Sequence, residues 1–251
     1  DYNVKDLSLI DNEFADPFLV AILPYAMEHS YDVYCDDPVS NDLYYNITTN
    51  YIPCMSKYTK YFNEVKIVCN TNKKVIKDNN AVVTGASCGV DSLYSIFSII
   101  ENTKELVENK LTHLLVMNSG ACSWSGGEQS YNWFIEESKR SEQLANELNL
   151  GFIYVNTNLM EFYKSDHRIS NYCRMSGVVL GLDKFIGKYH FASGYEFDEF
   201  TVDPKDKDDG YYAYFICKEM SDDNLNFSLT AMSLSRTDRV KYISNFSLAN
   251  E

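Results

Sequence analysis

Several features that would identify a class of protein at once are missing from this sequence. Its 251 residues contain no run of about eighteen apolar side chains, the length that a transmembrane helix needs. The apolar segment Phe18–Met27 is short and has no basic flank, so it does not have the pattern of a signal peptide. Only 5 residues are proline, and a hydrophobic fraction of 45% is too high for a disordered chain. We therefore expect a globular protein with a sizeable core.

Positive charge is also scarce. The chain has 22 Lys and Arg against 36 Asp and Glu, which leaves a formal net charge of −14. Such a chain repels phosphate backbones over most of its surface, so we expect no general nucleic-acid binding and no membrane binding. Any phosphate that it binds must be held locally, by main-chain N–H groups and a few well-placed cations.

Motifs for structural metal sites are absent as well. The seven cysteines are an odd number, are scattered along the chain and form no C-x-x-C pair, and there is no H-E-x-x-H segment. A reduced, cytoplasmic protein is the simplest interpretation. The chain begins at Asp1, so we expect that the initiator methionine, alone or with further residues, has been removed or was not seen.

The first third of the chain predicts a small α/β module, residues 1–75. Apolar residues at helical spacing follow Asp16-Pro17 and predict a helix over Phe18–His29, and Glu64–Cys69 has the pattern of a short strand. A second helix is expected within Val39–Asn50. Residues 70–80 are polar without a clear period, which indicates a domain boundary.

Beyond this boundary, short apolar strands alternate with longer amphipathic helices. Strands are predicted at Ala81–Thr84, His113–Met117, Gly151–Val155 and Tyr189–Ala192, and helices at Leu93–Ile100, Tyr131–Leu148 and Tyr172–Ile186. The alternation predicts βαβ units, and therefore a second domain, 81–251, of α/β class: a parallel twisted sheet with helices on both faces. Ligands of such domains lie at the carboxyl ends of the strands. The acidic stretch Asp203–Gly210 is expected to be a solvated loop.

The most informative segment is the small-residue turn Thr84–Ser92, between the first strand of this domain and its helix. Main-chain N–H groups point outward at such a junction, and the helix dipole favours an anion there. Ser87 and Ser92 add hydroxyl donors. Asp91 is unusual in an anion cradle because its charge repels phosphate, and it suits a role in orienting the loop or holding Mg²⁺.

Three known turn motifs occur at strand–helix junctions of this kind. A Walker A loop is excluded because its lysine is missing, and G-x-G-x-x-G is excluded because only Gly85 and Gly89 are present. Gly85–Gly89 does fit the G-x-S-x-G nucleophile elbow of α/β-hydrolases. That mechanism requires an acid and a histidine further along the chain, where only His113, His167 and His190 follow. A serine hydrolase therefore stays open as an alternative.

The segment Ser87-Cys88-Gly89-Val90-Asp91-Ser92 resembles the SGGxDS pyrophosphate loop of the PP-loop ATP pyrophosphatases, the adenine nucleotide alpha hydrolase-like superfamily. That superfamily includes asparagine synthetase, GMP synthetase, tRNA thiolation enzymes and the nitrile-forming enzyme of deazapurine biosynthesis. The element order resembles it over most of 81–250, but only the loop is highly specific, and the whole chain looks most like a bacterial branch without an established reaction. Cys88 departs from the pattern, because the superfamily usually has glycine there.

The resemblance implies a HUP/PP-loop type of sheet and a common reaction that uses ATP and magnesium. A carboxylate, amide or related carbonyl oxygen attacks the α-phosphorus, pyrophosphate leaves, and a nitrogen or sulfur nucleophile then displaces AMP from the adenylate. The partners would be ATP and a small-molecule or carrier-bound acyl substrate. The N-terminal module covers the substrate, packs on the sheet edge or mediates a homodimer; these alternatives stay open. A non-catalytic nucleotide-binding module is a further alternative, consistent with Cys88.

The same resemblance implies roles for particular residues. The expected nucleotide contacts come from the loop, from the end of the second strand and from the end of the fourth: Ser87, Gly89, Val90, Ser92, Leu115, Met117, Ser193 and Gly194. The expected magnesium ligands are Asp91, Glu196 and Asp198. The residues expected to act in catalysis are Asp91, Cys88, Arg236 and Lys241, the last two as a pyrophosphate clamp.

Each of these residue types has an ordinary structural explanation as well. Arg239 and Lys241 fit a solvated helix face, and Glu196, Asp198 and Glu199 fit an exposed acidic cluster. His167 and His190 fit packing or surface positions better than general bases. Cys122, in a Gly/Ser loop that is a candidate lid, and Cys173, at a helix start, attract interest because sulfur-inserting members of the superfamily use cysteines, but both fit inert thiols.

Overall fold

The N-terminal part of the chain is mainly helical. The structure is a computed structural model that describes residues 9–76, 79–104, 106–120, 126–163 and 167–249. Its first elements are α1 (Asp16–His29), β1 (Val33–Tyr34), β2 (Val39–Ser40), α2 (Asn41–Tyr45), α3 (Ile52–Tyr58), β3 (Ile67–Val68) and β4 (Thr71–Asn72), with a π-helical turn, Asn46–Tyr51, joining α2 to α3. The short strands pair in parallel, β1 with β3 and β2 with β4.

The remainder of the chain alternates strands and helices. Its elements are β5 (Ala81–Gly85), α4 (Val90–Asn102), β6 (His113–Asn118), α5 (Gly127–Glu147), β7 (Gly151–Asn156), α6 (Leu159–Tyr163), α7 (Asn171–Leu180), β8 (Ile186–Ala192), α8 (Ala213–Met220), β9 (Asn226–Thr230) and α9 (Arg236–Ile243). The prediction of an α/β fold with a parallel sheet flanked by helices is confirmed. Among the described residues, no helix is both long and apolar enough to cross a membrane.

The main sheet has five parallel strands in the order β7-β6-β5-β8-β9. Val83 of β5 lies beside His113 of β6 on one side and beside Tyr189 of β8 on the other. Strands β6 and β7 therefore lie on one side of β5, and the later strands β8 and β9 lie on its other side. The strand order reverses between β5 and β8, and such a switch point leaves a crevice at the carboxyl ends of the strands.

Alternate residues of the central strands pack on opposite faces of the sheet. Leu114 and Val116 of β6 join one apolar cluster with α4, α5 and α9. Leu115 and Met117 join a second, larger cluster with α7, α8 and the N-terminal helices. Because both faces are buried, the strands are apolar nearly throughout, which is why they stand out in the sequence.

Helix α1 packs directly on α7. A Cβ on Gly177 of α7 would lie 2.6 Å from the carbonyl oxygen of Pro17 and 2.7 Å from Cβ of Ala21. Glycine therefore allows the two helix backbones to approach closely. The apolar side chains of the N-terminal helices are continuous with those on this face of the sheet. The division into domains 1–75 and 81–251 stays a prediction, and Lys77 and Asp78 of the predicted boundary lie outside the described residues.

A buried ionic cluster also joins the N-terminal residues to the sheet domain. Nζ of Lys74 lies 2.5 Å from Asp11 and 3.3 Å from Asp16, and it contacts Asp183, which follows α7. All four side chains are almost completely buried. Burial raises the pKa of Asp183 to about 7, although Lys74 opposes this shift. One cation thus faces three carboxylates.

Several element boundaries differ from the sequence-based expectations. The predicted helix Tyr172–Ile186 ends at Leu180, and Ile186 already begins β8. The predicted strand Glu64–Cys69 is reduced to Ile67–Val68. Within the supposedly solvated loop Asp203–Gly210, Asp209 is buried and accepts a hydrogen bond from the Tyr172 amide at 2.7 Å. A carboxylate that caps α7 explains why this acidic residue points inward.

Candidate functional site

A cavity of about 460 Å3 opens at the switch point of the sheet. It is lined by residues from the ends of β5, β6 and β8 and from α4, α5 and α7: Gly85, Ala86, Ser87, Ser92, Leu115, Val116, Met117, Trp133, Glu137, Asn171, Met175, Tyr189, Phe191 and Ala192. Its walls are mostly apolar, and the serines lie at the β5–α4 turn. This size, position and chemistry suit a small-molecule ligand with an apolar ring and a polar end.

The turn between β5 and α4 leaves the start of the helix open. Gly89 occupies the N-cap position of α4 in an extended conformation, and no side chain in the described part of the chain caps the helix there. A Cβ on Gly89 would come no closer than 3.5 Å to Ser87 Oγ, so the surface of the turn is uncrowded. Uncapped main-chain N–H groups at a helix N-terminus form a site for an anion.

Two serine hydroxyls brace this turn from within. Ser87 Oγ donates to Ser92 Oγ at 3.1 Å, and Ser92 Oγ donates to the Gly89 carbonyl at 2.9 Å. The Ser92 side chain is buried, while Ser87 is exposed. The structure thus places Ser87, Gly89 and Ser92 together in one turn and leaves Ser87 exposed.

Cys88 carries the backbone strain of the turn. Its φ is +54°, in the left-handed region that favours glycine. This conformation gives a physical reason for glycine to be usual at this position in pyrophosphate loops. The thiol points towards α5, where Sγ lies 3.7 Å from Ser141 Oγ, and it packs beside the apolar cluster on that face. The side chain of Cys88 therefore leaves the anion side of the turn open.

Asp91, in the first turn of α4, is paired with a buried arginine. Arg239 Nη1 donates to Asp91 Oδ1 at 2.8 Å and to the Ser193 carbonyl at 2.6 Å, and Nη2 donates to the Ala231 carbonyl at 3.0 Å. The Arg239 side chain is 1% exposed and that of Asp91 27%. One guanidinium thus joins the start of α4 to the segments that follow β8 and β9, and it offsets the charge of Asp91.

Arg239 also shows that one alternative about the Arg/Lys segment was wrong. The residue does not lie on a solvated helix face, because α9 buries Arg239 together with Ile243 on the same side. Arg236 and Lys241, the expected clamp, lie on the exposed side, and Lys241 pairs with Asp238 at 3.4 Å. Their role stays a prediction. The i, i+4 spacing puts Arg239 on the same helix face as Ile243, but only the packing of α9 shows that this face is buried.

The three expected magnesium ligands are not gathered into one site. Among the described residues, no group of three or more His, Cys, Asp or Glu side chains is placed to hold a metal ion. Glu196 and Glu199 instead cap a short 3₁₀ turn, Phe197–Glu199, in which the Glu196 amide donates to Glu199 Oε2 at 2.8 Å. Asp198 is exposed within that turn. Asp91 is the expected ligand that lies beside the cradle.

The other expected nucleotide contacts divide into two groups. Leu115 and Met117 line the cavity. Ser193 is buried, and its carbonyl accepts a hydrogen bond from Arg239, whereas Gly194 is exposed. Val90 is the first residue of α4 and packs partly on the apolar cluster beneath it. The sequence interpretation missed Trp133 and Met175, which line the cavity from α5 and α7, because helix periodicity alone does not show which helices meet at a strand end.

The described histidines do not support a catalytic triad at Ser87. His113 begins β6, at the opposite end of the sheet from the turn. His190 Nδ1 contacts Ser228 Oγ at 2.6 Å, and burial lowers the pKa of His190 to about 4. The side chain of His167 lies outside the described residues. The positive φ also falls on Cys88 and not on Ser87, which would be the strained nucleophile of an elbow.

Neither cysteine of the sulfur-carrier hypothesis is shown as reactive. Cys173 is completely buried, Sγ lies 3.4 Å from Tyr51 Oη, and burial raises the pKa of its thiol to about 12. Such a thiol stays protonated at neutral pH and is a poor nucleophile. Cys122 and the centre of its Gly/Ser loop, residues 121–125, lie outside the described residues.

Comparisons of the chain with protein-family models, with curated proteins and with solved structures found no match.

Proposed function

We propose that this chain binds ATP at the β5–α4 turn and uses it for AMP-forming activation of a carbonyl or carboxylate group, in the manner of a PP-loop ATP pyrophosphatase. The observation that carries the proposal is the combination of an uncapped, uncrowded helix N-terminus with an apolar cavity at the switch point of a parallel sheet. The strand order, in which β5 is central and the chain reverses beside it, supports the HUP/PP-loop assignment.

The cradle and the cavity suit different parts of the nucleotide. The β- and γ-phosphates would lie against the amides of Ser87–Ser92, where the α4 dipole favours negative charge. The adenine ring would enter the apolar cavity beside Met117 and Met175. Since both features belong to one crevice, a nucleotide can occupy them together, with its α-phosphorus between them.

Asp91 fits a place next to the phosphates because Arg239 compensates its charge. Its carboxylate is partly exposed and would hold magnesium together with phosphate oxygens, since Mg²⁺ usually takes one or two protein carboxylates and completes its shell with substrate and water. Bound magnesium would neutralise charge on the leaving pyrophosphate. The residues of this chain then have to position the triphosphate and exclude water from the adenylate.

The reaction proposed is the transfer of the adenylyl group to an acceptor. A substrate oxygen attacks the α-phosphorus, the bond to the β-phosphate bridge breaks, and pyrophosphate leaves with that electron pair. A nitrogen or sulfur nucleophile then attacks the activated carbon and releases AMP. The substrate is a small molecule or a carrier-bound acyl group, since the net charge of −14 disfavours tRNA.

A first experiment tests the nucleotide site alone. Calorimetric titration with ATP and MgCl2 should show one site, and Asp91→Ala should weaken binding at least about tenfold, which is about 1.4 kcal/mol. Asp238→Ala is the matched control, because it removes an equally charged but exposed side chain from α9 and should leave affinity unchanged. Absence of binding at millimolar ATP, in a protein shown to be folded, would overturn the proposal.

A second experiment separates the three candidate functions. Exchange of labelled pyrophosphate into ATP, measured with pools of carboxylic acids and carboxamides, should be detected for an adenylating enzyme. ATP binding without exchange in any pool would favour the non-catalytic module. Covalent labelling of Ser87 by a fluorophosphonate, blocked by Ser87→Ala, would favour a serine hydrolase and contradict the nucleotide assignment.

A further inference from the structure

Two cysteines of the N-terminal part, Cys35 and Cys69, directly follow the neighbouring strands β1 and β3. The parallel pair of β1 and β3 places Val33 beside Ile67 and Tyr34 beside Val68. The Val33 amide donates to the Lys66 carbonyl at 2.9 Å, and the Cys35 amide donates to the Val68 carbonyl at 3.0 Å. The second bond repeats the first two residues further on, so Cys35 is in register with Cys69.

The two thiols also point to the same face of this strand pair. Along both strands, a buried residue (Val33, Ile67) is followed by an exposed one and then by a half-buried cysteine. Successive side chains of a strand alternate in direction, so Cys35 and Cys69 share the inward face, where both pack against the large apolar cluster. Burial, followed by the neighbouring Cys69 thiol, raises the pKa of the Cys35 thiol, which agrees with this proximity.

The backbone spacing is compatible with a covalent link. Residues in register on adjacent strands have their Cα atoms roughly 5 Å apart, and disulfides span Cα separations of about 4.4–6.8 Å. Both cysteines are free thiols in this structure, and both residues are partly exposed. Cys173 and Cys217, in contrast, are completely or almost completely buried.

We propose that Cys35 and Cys69 form a redox-active dithiol, which a disulfide oxidant such as oxidised glutathione converts to an intramolecular disulfide. The bridge would close the segment 36–68, which contains α2 and α3. Leu43 and Met55 of these helices belong to the same apolar cluster as Leu115 and Met117, so the bridge would restrain chain segments that pack in that cluster. This inference does not depend on the proposed function.

The chemistry balances with two molecules of glutathione as the product. Burial raises the pKa of both thiols, so the small deprotonated fraction of one of them reacts: its sulfur attacks a sulfur of oxidised glutathione, forms a mixed disulfide and expels one glutathione thiolate. The other cysteine, once deprotonated, attacks the protein sulfur of that mixed disulfide and expels the second glutathione. The two protein thiols lose two electrons and two protons, and the oxidant takes them up.

Peptide mapping under non-reducing conditions tests the link directly. The protein is incubated with excess oxidised glutathione, alkylated and digested with trypsin, which releases Cys69 in peptide 67–73 and leaves Cys35 in peptide 6–57 together with Cys54. We expect these two peptides to be joined. The joined species should persist in Cys54→Ser and disappear in Cys35→Ser and in Cys69→Ser.

Thermal unfolding provides an independent measurement on the full chain. Because a bridge across a loop of this length restricts the unfolded state, oxidation should raise the Tm by roughly 5–10 °C, reversibly with dithiothreitol. Cys54→Ser should show the same rise, and Cys35→Ser should show none. A mixed disulfide that remains on Cys69 in the wild-type protein, a link through Cys54, or a rise that survives Cys35→Ser would each overturn the proposal.

Discussion

Replacing Arg239 by methionine should destabilise the protein far more than its place in a charged segment suggests. Methionine keeps the unbranched apolar stem but removes the guanidinium, which donates to Asp91 and to the carbonyls of Ser193 and Ala231. In the variant, both carbonyls lose a charge-assisted hydrogen bond in a place where the arginine is 1% exposed. The Ala231 carbonyl keeps the Leu234 amide at 3.1 Å, whereas Ser193 is buried, and a buried acceptor left without a partner costs about 1–3 kcal/mol.

The expected loss follows from these contacts. The Ser193 carbonyl contributes about 1–3 kcal/mol, the lost bond to the Ala231 carbonyl about 1 kcal/mol, and Asp91 about 1 kcal/mol or less, because its side chain is 27% exposed and water can solvate it. We therefore expect the free energy of unfolding to fall by about 3–5 kcal/mol, the range found when one partner of a buried ion pair is removed. The change is measured by urea denaturation followed by circular dichroism.

Lys241→Met is the matched control for this prediction. It removes a cation from the same helix, but Lys241 is exposed and its pair with Asp238 is solvated, so the loss should be below about 1 kcal/mol. A double-mutant cycle with Asp91→Asn should give a coupling energy of at least about 0.5 kcal/mol between Asp91 and Arg239. If Arg239→Met costs no more than Lys241→Met, Arg239 does not join α4 to the strand ends as inferred.

Three further predictions concern other positions. Cys88→Gly should raise the free energy of unfolding by about 1 kcal/mol in urea denaturation because it relieves a positive φ, and a destabilised variant would contradict the strain. Gly177→Ala should lower it by about 2 kcal/mol because the new Cβ meets α1, whereas a neutral result would show that the helices lie further apart. The pKa of Asp183 is raised to about 7, so folding favours its protonated form, and the stability of the wild type relative to Asp183→Asn should fall as pH rises from 4 to 7. Urea denaturation at several pH values measures this difference, which would stay constant if Asp183 were fully ionised throughout.

Local patterns in the sequence were sufficient for most elements of the sheet domain. Strands buried on both faces are apolar throughout, and helices that pack on one side carry a 3.6-residue period, so β5 to β8 and α4, α5 and α7 were found with small errors at their ends. The pattern failed where short segments depend on distant partners. The sequence pattern does not predict strand β9, at the edge beside β8. It also predicts a helix from Tyr172 to Ile186, whereas the helix ends at Leu180.

The turn chemistry of the candidate site was also present in the sequence. Small residues between a strand and a helix imply an open helix N-terminus, because main-chain geometry is local. The partners of that turn were not implied by any local pattern. Arg239 reaches Asp91 across 148 positions of sequence, and its burial follows from where α9 packs. Trp133 and Met175 meet at the cavity only because the strand order brings α5 and α7 to one edge of the sheet.

The amino-acid sequence by itself thus determined the α/β class, the positions of strands β5 to β8 and the small-residue turn at Ser87–Ser92, since each depends on residues close together in the chain. The tertiary structure alone decided the strand order, the inward direction of Arg239 and the register of Cys35 with Cys69. These features depend on which faces and edges pack together, and that choice is made by burial of apolar area over the whole molecule. No local spacing carries that information.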